Sequence, residues 1–185
     1  MEKLFSKPAF LEGKRLLLRE LTPRDVSEDY IRWMNDSAIV EFMESRFNIY
    51  TRKSLIDYVE AIQKSENYLF FAIIVKEEKK HIGNIKLGPI NPHHQIGDIG
   101  VLIGEKNYWG KGFAAEAVTL ISDFVLHQWN LFKVTAGCYS NNIGSRKVFE
   151  KSGFTIEAIR KNQYQYKEER VDELLFGRTL GGNAG

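Results

Sequence analysis

The sequence predicts an α/β fold with one mixed, mostly antiparallel sheet of about six to seven strands, flanked by about four helices. Two observations support this prediction. The early apolar strand segments are joined by short polar turns, as in hairpins, whereas later ones are joined through amphipathic helices. The chain has 185 residues, of which 43% are hydrophobic and 27% charged, and these are ordinary globular values. We therefore expect a single domain over residues 1–180 and a flexible, Gly-rich tail over residues 181–185.

Each element is predicted from its own local pattern. Arg15–Arg19 is expected to form the first strand. Thr22 has the character of a helix N-cap, and Pro23 suits the first helical position of a helix that runs to about Asn35. The remaining expected elements are helices over 54–64, 113–129 and 145–152, strands over 69–76, 82–87, 96–103 and 133–139, and two strands from 155 to about 178.

Composition argues against several classes of function. The net charge is only +2 and the basic residues are scattered, so no positive field favours nucleic acid. The longest apolar run, Leu69–Val75, is far shorter than the roughly 20 residues that cross a bilayer. A single cysteine, Cys138, rules out an intramolecular disulfide and favours a reducing compartment. We expect a cytoplasmic protein with neither a nucleic-acid nor a membrane partner, and no Cys/His spacing predicts a metal site.

The most informative segment is the glycine loop Asn107–Ala114, which lies between a predicted strand and the most clearly amphipathic predicted helix. Gly110 and Gly112 allow the backbone to bend close to a ligand without an intervening Cβ. The free N–H groups and the dipole at the start of the helix favour an anion there, and Lys111 could add a point charge.

Three interpretations of this loop compete. The glycines could serve turn geometry alone. Residues 110–115 also fit the dinucleotide fingerprint G-x-G-x-x-A, but that fingerprint requires an acid about 20 residues later, and the next strand ends in Gly-Cys-Tyr-Ser without one. A P-loop is excluded because no Gly-Lys-Ser/Thr follows at the required spacing. The third interpretation is a loop that binds the pyrophosphate of acetyl-CoA.

Two motifs carry a resemblance that favours the third interpretation. Asn107–Gly112 resembles the Q/R-x-x-G-x-G/A signature of the GNAT superfamily of N-acetyltransferases, with Asn107 in place of the usual Gln or Arg. The longer segment Tyr108–Ala117 is similar to the branch that contains the ribosomal-protein N-terminal acetyltransferases. Asn142–Phe154 resembles a second family motif, N-x-x-A/S-x-x-x-Y/F-x-K-x-G-F. The order of elements also matches this family over roughly residues 14–178.

The resemblance implies acetyl-CoA as cosubstrate and assigns residues to it. The pantetheine arm would lie beside the strand segment Ile99–Ile103, and Asn142 would contact the arm. The other residues implied at the cosubstrate site are Leu102 and Ile103 through their main chain, Gly110, Lys111, Gly112, Phe113 and Ala114 around the pyrophosphate, and Trp109 as a wall.

Acetyl transfer requires catalytic residues that can move protons. The amine must lose a proton, and the leaving thiolate must gain one. Many relatives protonate the thiolate with a tyrosine, but Phe149 stands at that position. We therefore hypothesise that Ser145 donates a hydrogen bond to the sulfur and that Asn142 and Ser145 form the catalytic pair. The general base stays open among the acids of the sequence, which include Asp98, Glu41, Glu44, Glu168 and Glu169.

The acceptor is predicted only by class. Glu44 and Arg46 flank a serine in a loop after the first helix, where they could bind a polar acceptor. We favour a primary amine, either a small polar one such as an amino sugar or a protein N-terminus. The alternative is a catalytically idle acyl-CoA-binding or regulatory module, because Phe149 replaces the tyrosine and no base is evident. A homodimer is left open by analogy alone.

Overall fold

A computed structural model describes residues 7–181 and places eight strands in one sheet, in the spatial order β1-β2-β3-β4-β5-β6-β8-β7. The flexible tail is predicted over residues 181–185, of which 182–185 lie outside the described residues. The strands are β1 Phe10–Glu12, β2 Leu16–Glu20, β3 Leu69–Val75, β4 Lys80–Asn91, β5 Ile96–Ile103, β6 Lys133–Tyr139, β7 Thr155–Tyr166 and β8 Glu169–Thr179. The helices are α1 Glu28–Asn35, α2 Arg52–Lys64, α3 Phe113–His127 and α4 Ile143–Lys151, with short 3-10 turns at Pro23–Asp25, Glu44–Phe47 and Lys106–Tyr108.

The predicted fold class is confirmed, and the sheet has one strand more than expected. The additional strand, β1, has only three residues and pairs with β2 through Leu11 opposite Leu18. Such a short segment is too brief to show the alternation by which strands are recognised in sequence. It is an edge strand, and its one buried side chain is Leu11.

The first predicted helix is wrong at its start. Thr22, Pro23 and Asp25 form a single 3-10 turn instead, in which the Asp25 carboxylate accepts hydrogen bonds from the backbone and the hydroxyl of Thr22. The chain then leaves helical geometry at Val26, and Ser27 caps α1 by accepting from the backbone N–H of Tyr30 at 3.2 Å. Two capping sequences lie five positions apart, and the second one starts the α-helix.

The helices pack on the two faces of the sheet. On one face, α1 and α2 place Trp33 and Val59 against Phe70 and Ala72 of β3. On the other face, α3 and α4 contribute to the main core. Buried members of that core include Ile85, Ile99, Val118, Ile121, Val134, Ala136, Phe149 and Phe176. Within residues 7–181, none of the helices is long and apolar enough to cross a membrane.

One parallel strand pair interrupts the antiparallel sheet. β5 and β6 pair only where Ile96–Asp98 faces Lys133–Thr135. Beyond that point β5 continues beside β4 and β6 continues beside β8, but they no longer pair with each other. Because parallel strands end at the same edge of a sheet, the resulting gap opens toward the glycine loop after β5 and toward α4 after β6.

Candidate active site

The glycine loop adopts a conformation that requires glycine. Gly110 and Gly112 have φ angles of +72° and +80°, and Gly112 is the N-cap of α3. A Cβ built on Gly110 would meet no atom within 4 Å. The need for glycine there is therefore conformational, and the space in front of the loop is open to a ligand. The first N–H groups of a 15-residue helix begin directly behind it.

Arg15 and Glu116 fasten the loop to the sheet. Glu116, in the first turn of α3, accepts hydrogen bonds from the Arg15 side chain at 2.7 Å and from the Arg15 backbone at 2.6 Å. The same guanidinium donates to the carbonyl oxygen of Lys111 at 3.0 Å. Burial by itself would raise the pKa of Glu116. The hydrogen bonds and the positive charge of Arg15 outweigh burial and lower this pKa. The sequence does not predict this pair, because its members lie 101 positions apart and the one local signal is an acid in the first turn of the helix.

A second anchor holds the start of the loop. Glu105 accepts hydrogen bonds from the Trp33 indole at 3.0 Å, from Lys80 at 3.0 Å and from Arg32 at 2.7 Å. Burial opposes ionisation, but these three donors lower the pKa of Glu105. The carboxylate ties the residues after β5 to α1 and β4, so the loop is held at both ends.

The other residues predicted at the cosubstrate site lie around this loop. Trp109 is 44% exposed, and its indole nitrogen donates to the carbonyl oxygen of Ile103 at 2.7 Å. The Lys111 side chain is exposed. The Phe113 side chain is buried beneath the Arg15 guanidinium, so only the Phe113 backbone is available to an anion. Leu102 and Ile103 end β5 at the open side of the gap.

Asn142 and Ser145 lie across the gap from the loop, at the start of α4. Asn142 Oδ1 accepts from the Ser145 backbone N–H at 3.0 Å, so Asn142 is the helix N-cap. Ser145 is partly exposed in the first turn of α4. Phe149 is only 2% exposed and packs against Phe154 and Phe176, with ring centroids 5.6 Å and 5.3 Å away. Its ring is part of the core.

Glu44 and Arg46 are brought to the end of β6 by Tyr139. The Tyr139 hydroxyl donates to Glu44 at 2.6 Å and accepts from Arg46 at 2.9 Å. Burial first, and then the hydrogen bond to Glu44, raise the pKa of Tyr139. Arg46 also donates to the carbonyl oxygens of Glu41 and Gln165, both at 3.0 Å. Arg46 therefore braces the loop against the β7–β8 hairpin, whereas Glu44 is exposed.

Aromatic rings extend this cluster onto the hairpin. Tyr139 stacks on Tyr164 with ring centroids 4.0 Å apart, and the Tyr164 hydroxyl donates to Glu173 at 2.6 Å. Phe42 stacks on Tyr166, whose hydroxyl donates to Glu41 at 2.5 Å. Tyr139 and Tyr166 are not predicted from the sequence, because their hydroxyls bind acids more than 90 residues away in the chain.

The remaining sequence candidates lie elsewhere or differ in character. Cys138 is buried on the side of β6 that faces the main core, and burial raises the pKa of its thiol to about 11. Glu168 and Glu169 are exposed at the turn between β7 and β8. Within residues 7–181, no group of three or more His, Cys, Asp and Glu residues is arranged to hold a metal.

Comparison with known proteins identifies the family. The model of the acetyltransferase (GNAT) domain matches residues 15–155. The chain belongs to the GNAT acetyltransferase family. A Bacillus subtilis (strain 168) protein named Probable N-acetyltransferase YjcK is 33% identical over 160 residues, which cover 82% of this chain and 87% of that protein. The predictions of the family and of an acetyltransferase are thereby confirmed.

Solved structures share the fold of this GNAT chain. A GNAT-family acetyltransferase from Bacillus anthracis has a TM-score of 0.79 at 23% identity, over 92% of this chain and 98% of that one. RimL, a ribosomal L7/L12 alpha-N-protein acetyltransferase solved in complex with coenzyme A, has a TM-score of 0.81 at 14% identity, over 92% of this chain and 97% of that one.

Proposed function

We propose that this GNAT protein transfers acetyl from acetyl-CoA directly to a primary amine. The observation that supports this most strongly is the gap between β5 and β6, which opens toward the glycine loop on one side and Asn142 on the other. An extended arm can lie in such a gap and use the free backbone groups of a strand edge. The helix start behind Gly112 suits the pyrophosphate.

The residues around the gap fit the demands of the chemistry. Asn142 uses its Oδ1 as the cap of α4, which leaves its amide NH₂ to contact the arm. Ser145, one turn into the same helix, offers a hydroxyl to the departing sulfur. The buried Phe149 has no proton to donate, so Ser145 takes the place of the relatives' tyrosine only as a hydrogen-bond donor to the sulfur.

The acceptor is proposed to enter from the side of Glu44 and Tyr139. An exposed carboxylate that accepts one hydroxyl bond keeps a free oxygen for an ammonium group. Arg46 is a positioning residue, because its guanidinium already holds Tyr139 and two carbonyl oxygens. The acceptor class is a small polar amine, such as an amino sugar, or a protein N-terminus.

A thiol-release assay tests this proposal. The purified protein is incubated with acetyl-CoA and a panel of amines that includes glucosamine and a hexapeptide with an N-terminal serine. Coenzyme A at about 100 times its Kd should stabilise the fold by roughly 2.7 kcal/mol. Acetylation of a panel member supports the proposal. Stabilisation by coenzyme A without turnover of any amine would favour the idle binding module instead.

A further inference from the structure

The gap between β5 and β6 ends at one pair of side chains. Asp98 and Thr135 are the last paired residues of the two strands, and Thr135 Oγ1 donates to Asp98 Oδ1 at 2.8 Å. Past this pair the strands separate toward the glycine loop and α4. The Asp98 carboxylate therefore stands at the inner end of the gap.

Strand alternation places this carboxylate on the acceptor side. Thr135 shares its face of β6 with Tyr139, which binds Glu44 and Arg46. Ile99, which follows Asp98 in β5, and Ala136, which follows Thr135 in β6, point to the opposite face and into the main core. Asp98 thus lies on the same face of the sheet as the cluster proposed to receive the acceptor.

The surface next to Asp98 carries little side-chain cover. The next residues on this face are Gly100 in β5 and Gly137 in β6; both are exposed, but a Cβ built on Gly137 would lie 3.1 Å from Glu173 Oε1. A Cβ built on Gly100 would meet no atom within 4 Å. The carboxylate is therefore accessible from the β5 side of the gap.

We propose that Asp98 is the general base that removes the proton from the acceptor ammonium group. This inference rests on the proposed acetyl transfer. From Ile103 to Asp98 the strand covers about 16 Å at roughly 3.3 Å per residue, and an extended pantetheine arm has a comparable length. An arm that lies extended along β5 from its Ile103 end therefore directs its thioester toward Asp98.

The charged neighbours of Asp98 come from β4 and β8. Although Asp98 is exposed, neighbouring protein atoms partly desolvate its carboxylate and raise its pKa, and the negative charge of Glu173 acts in the same direction. The hydrogen bond from Thr135 and the positive charge of Lys86 oppose this rise. Arg160 pairs with Glu173 at 2.9 Å and offsets part of its charge. A raised pKa makes a carboxylate a stronger base.

The proposed step balances as follows. Asp98 takes a proton from R–NH₃⁺, and the free amine attacks the thioester carbonyl carbon. The C–N bond forms as the C–S bond breaks, and its electron pair leaves with the sulfur, toward which Ser145 offers its hydroxyl. The acetylated nitrogen loses its second proton to solvent, the thiolate gains one from solvent, and Asp98 returns its proton to water.

The test compares Asp98→Asn with wild type on the serine hexapeptide and on glucosamine. Asparagine preserves an acceptor for Thr135 but cannot take the proton. We expect kcat/KM for the amine to fall by about 100-fold or more near pH 7, with the KM for acetyl-CoA unchanged. The deficit should shrink as pH rises, because the free fraction of an amine grows about tenfold per pH unit below its pKa.

Control variants distinguish a base from a structural role. Asp57→Asn makes the same change on the exposed face of α2, where Asp57 pairs with Lys53, and should behave as wild type. Asp98→Glu restores a carboxylate and should recover part of the activity. Thr135→Val keeps the base and should cost less than Asp98→Asn.

Three results would overturn the proposal. If Asp98→Asn keeps kcat/KM within about threefold of wild type and an unchanged pH profile, Asp98 is not the general base. This result leaves the proposed acetyl transfer standing. A pH-dependent loss in Glu173→Gln but not in Asp98→Asn moves the base to Glu173. Wild-type protein that binds coenzyme A but acetylates no amine refutes the transfer itself and, with it, any base.

Discussion

Trp109 donates its indole N–H to the carbonyl oxygen of Ile103, the last residue of β5. This bond joins the glycine loop to the strand beside which the arm of the cosubstrate is proposed to lie. Trp109→Phe keeps an aromatic wall but removes the donor. A neutral hydrogen bond contributes about 1 kcal/mol, so we expect the Kd for coenzyme A to rise about fivefold. Calorimetric titration measures this, and an unchanged Kd would mean that the bond does not position the loop.

Gly112→Ala should weaken coenzyme A binding by more than its effect on stability. At φ +80° the alanine carries a strain of about 1–2 kcal/mol, and its methyl group lies at the start of α3, where the pyrophosphate is proposed to bind. We expect a Kd at least about tenfold higher. Gly153→Ala is a matched control, because Gly153 has φ +82° at the far end of α4. It should lower thermal stability and leave the Kd unchanged.

Ser145→Ala should lower kcat without changing the KM for acetyl-CoA. The hydroxyl is proposed to act on the thiolate that forms in the transition state, so its loss should cost about 10- to 100-fold in kcat. Ser37→Ala, at an exposed site after α1, provides the control. Full activity of a folded Ser145→Ala protein would remove this serine from the mechanism.

Tyr139→Phe should affect the acceptor and leave acetyl-CoA unaffected. The change removes the hydroxyl that holds both Glu44 and Arg46 but keeps the ring stacked on Tyr164. We expect the KM for the amine to rise about 10- to 150-fold, as for a lost hydrogen bond to charged groups, which contributes about 1.5–3 kcal/mol. An equal rise in the KM for acetyl-CoA would contradict a role limited to the acceptor side.

Glu116→Gln should destabilise the protein at neutral pH and less so in acid. The folded state lowers the pKa of Glu116, so its carboxylate stabilises the fold above the unfolded-state value of about 4.3. That contribution is lost as the pH falls through this value toward the lower folded-state pKa. We expect a loss of about 2 kcal/mol at pH 7. Urea unfolding at pH 7 and near pH 3.5 should show the gap between the two proteins narrowing.

Much of the fold could be predicted because strong local patterns coincide with real elements. Ile96–Ile103 and Lys133–Tyr139 form strands with the predicted bounds, since each is an apolar run between clear turn signals. The start of the first helix could not be predicted in this way. Thr22 and Ser27 both have capping character, and the choice between them depends on Asp25 reaching Arg19 in β2.

Motifs in the sequence predict the proposed cosubstrate side of the site, whereas Glu44 and Arg46 are its only prediction for the proposed acceptor side. Gly110 and Gly112 lie in one short segment, and its capacity to bind an anion depends on residues that are adjacent in the sequence. Tyr139, by contrast, acquires its partners from the loop after α1 and from the β7–β8 hairpin. Asp98 is a candidate base because it lies where β5 separates from β6, and no pattern in the sequence predicts where two strands separate.

Within residues 7–181, the strand ladder that joins the β1–β5 part of the sheet to the part formed by β6, β8 and β7 has three residue pairs, with two further backbone bonds to the carbonyl oxygen of Gln95. So few backbone bonds make this junction a place where local opening of the sheet costs little free energy. A ligand lying between the two parts would contact both and restrict that opening. Amide hydrogen exchange should therefore slow on both sides of the junction when coenzyme A is added, including in β8, which lies beyond the residues proposed to touch it.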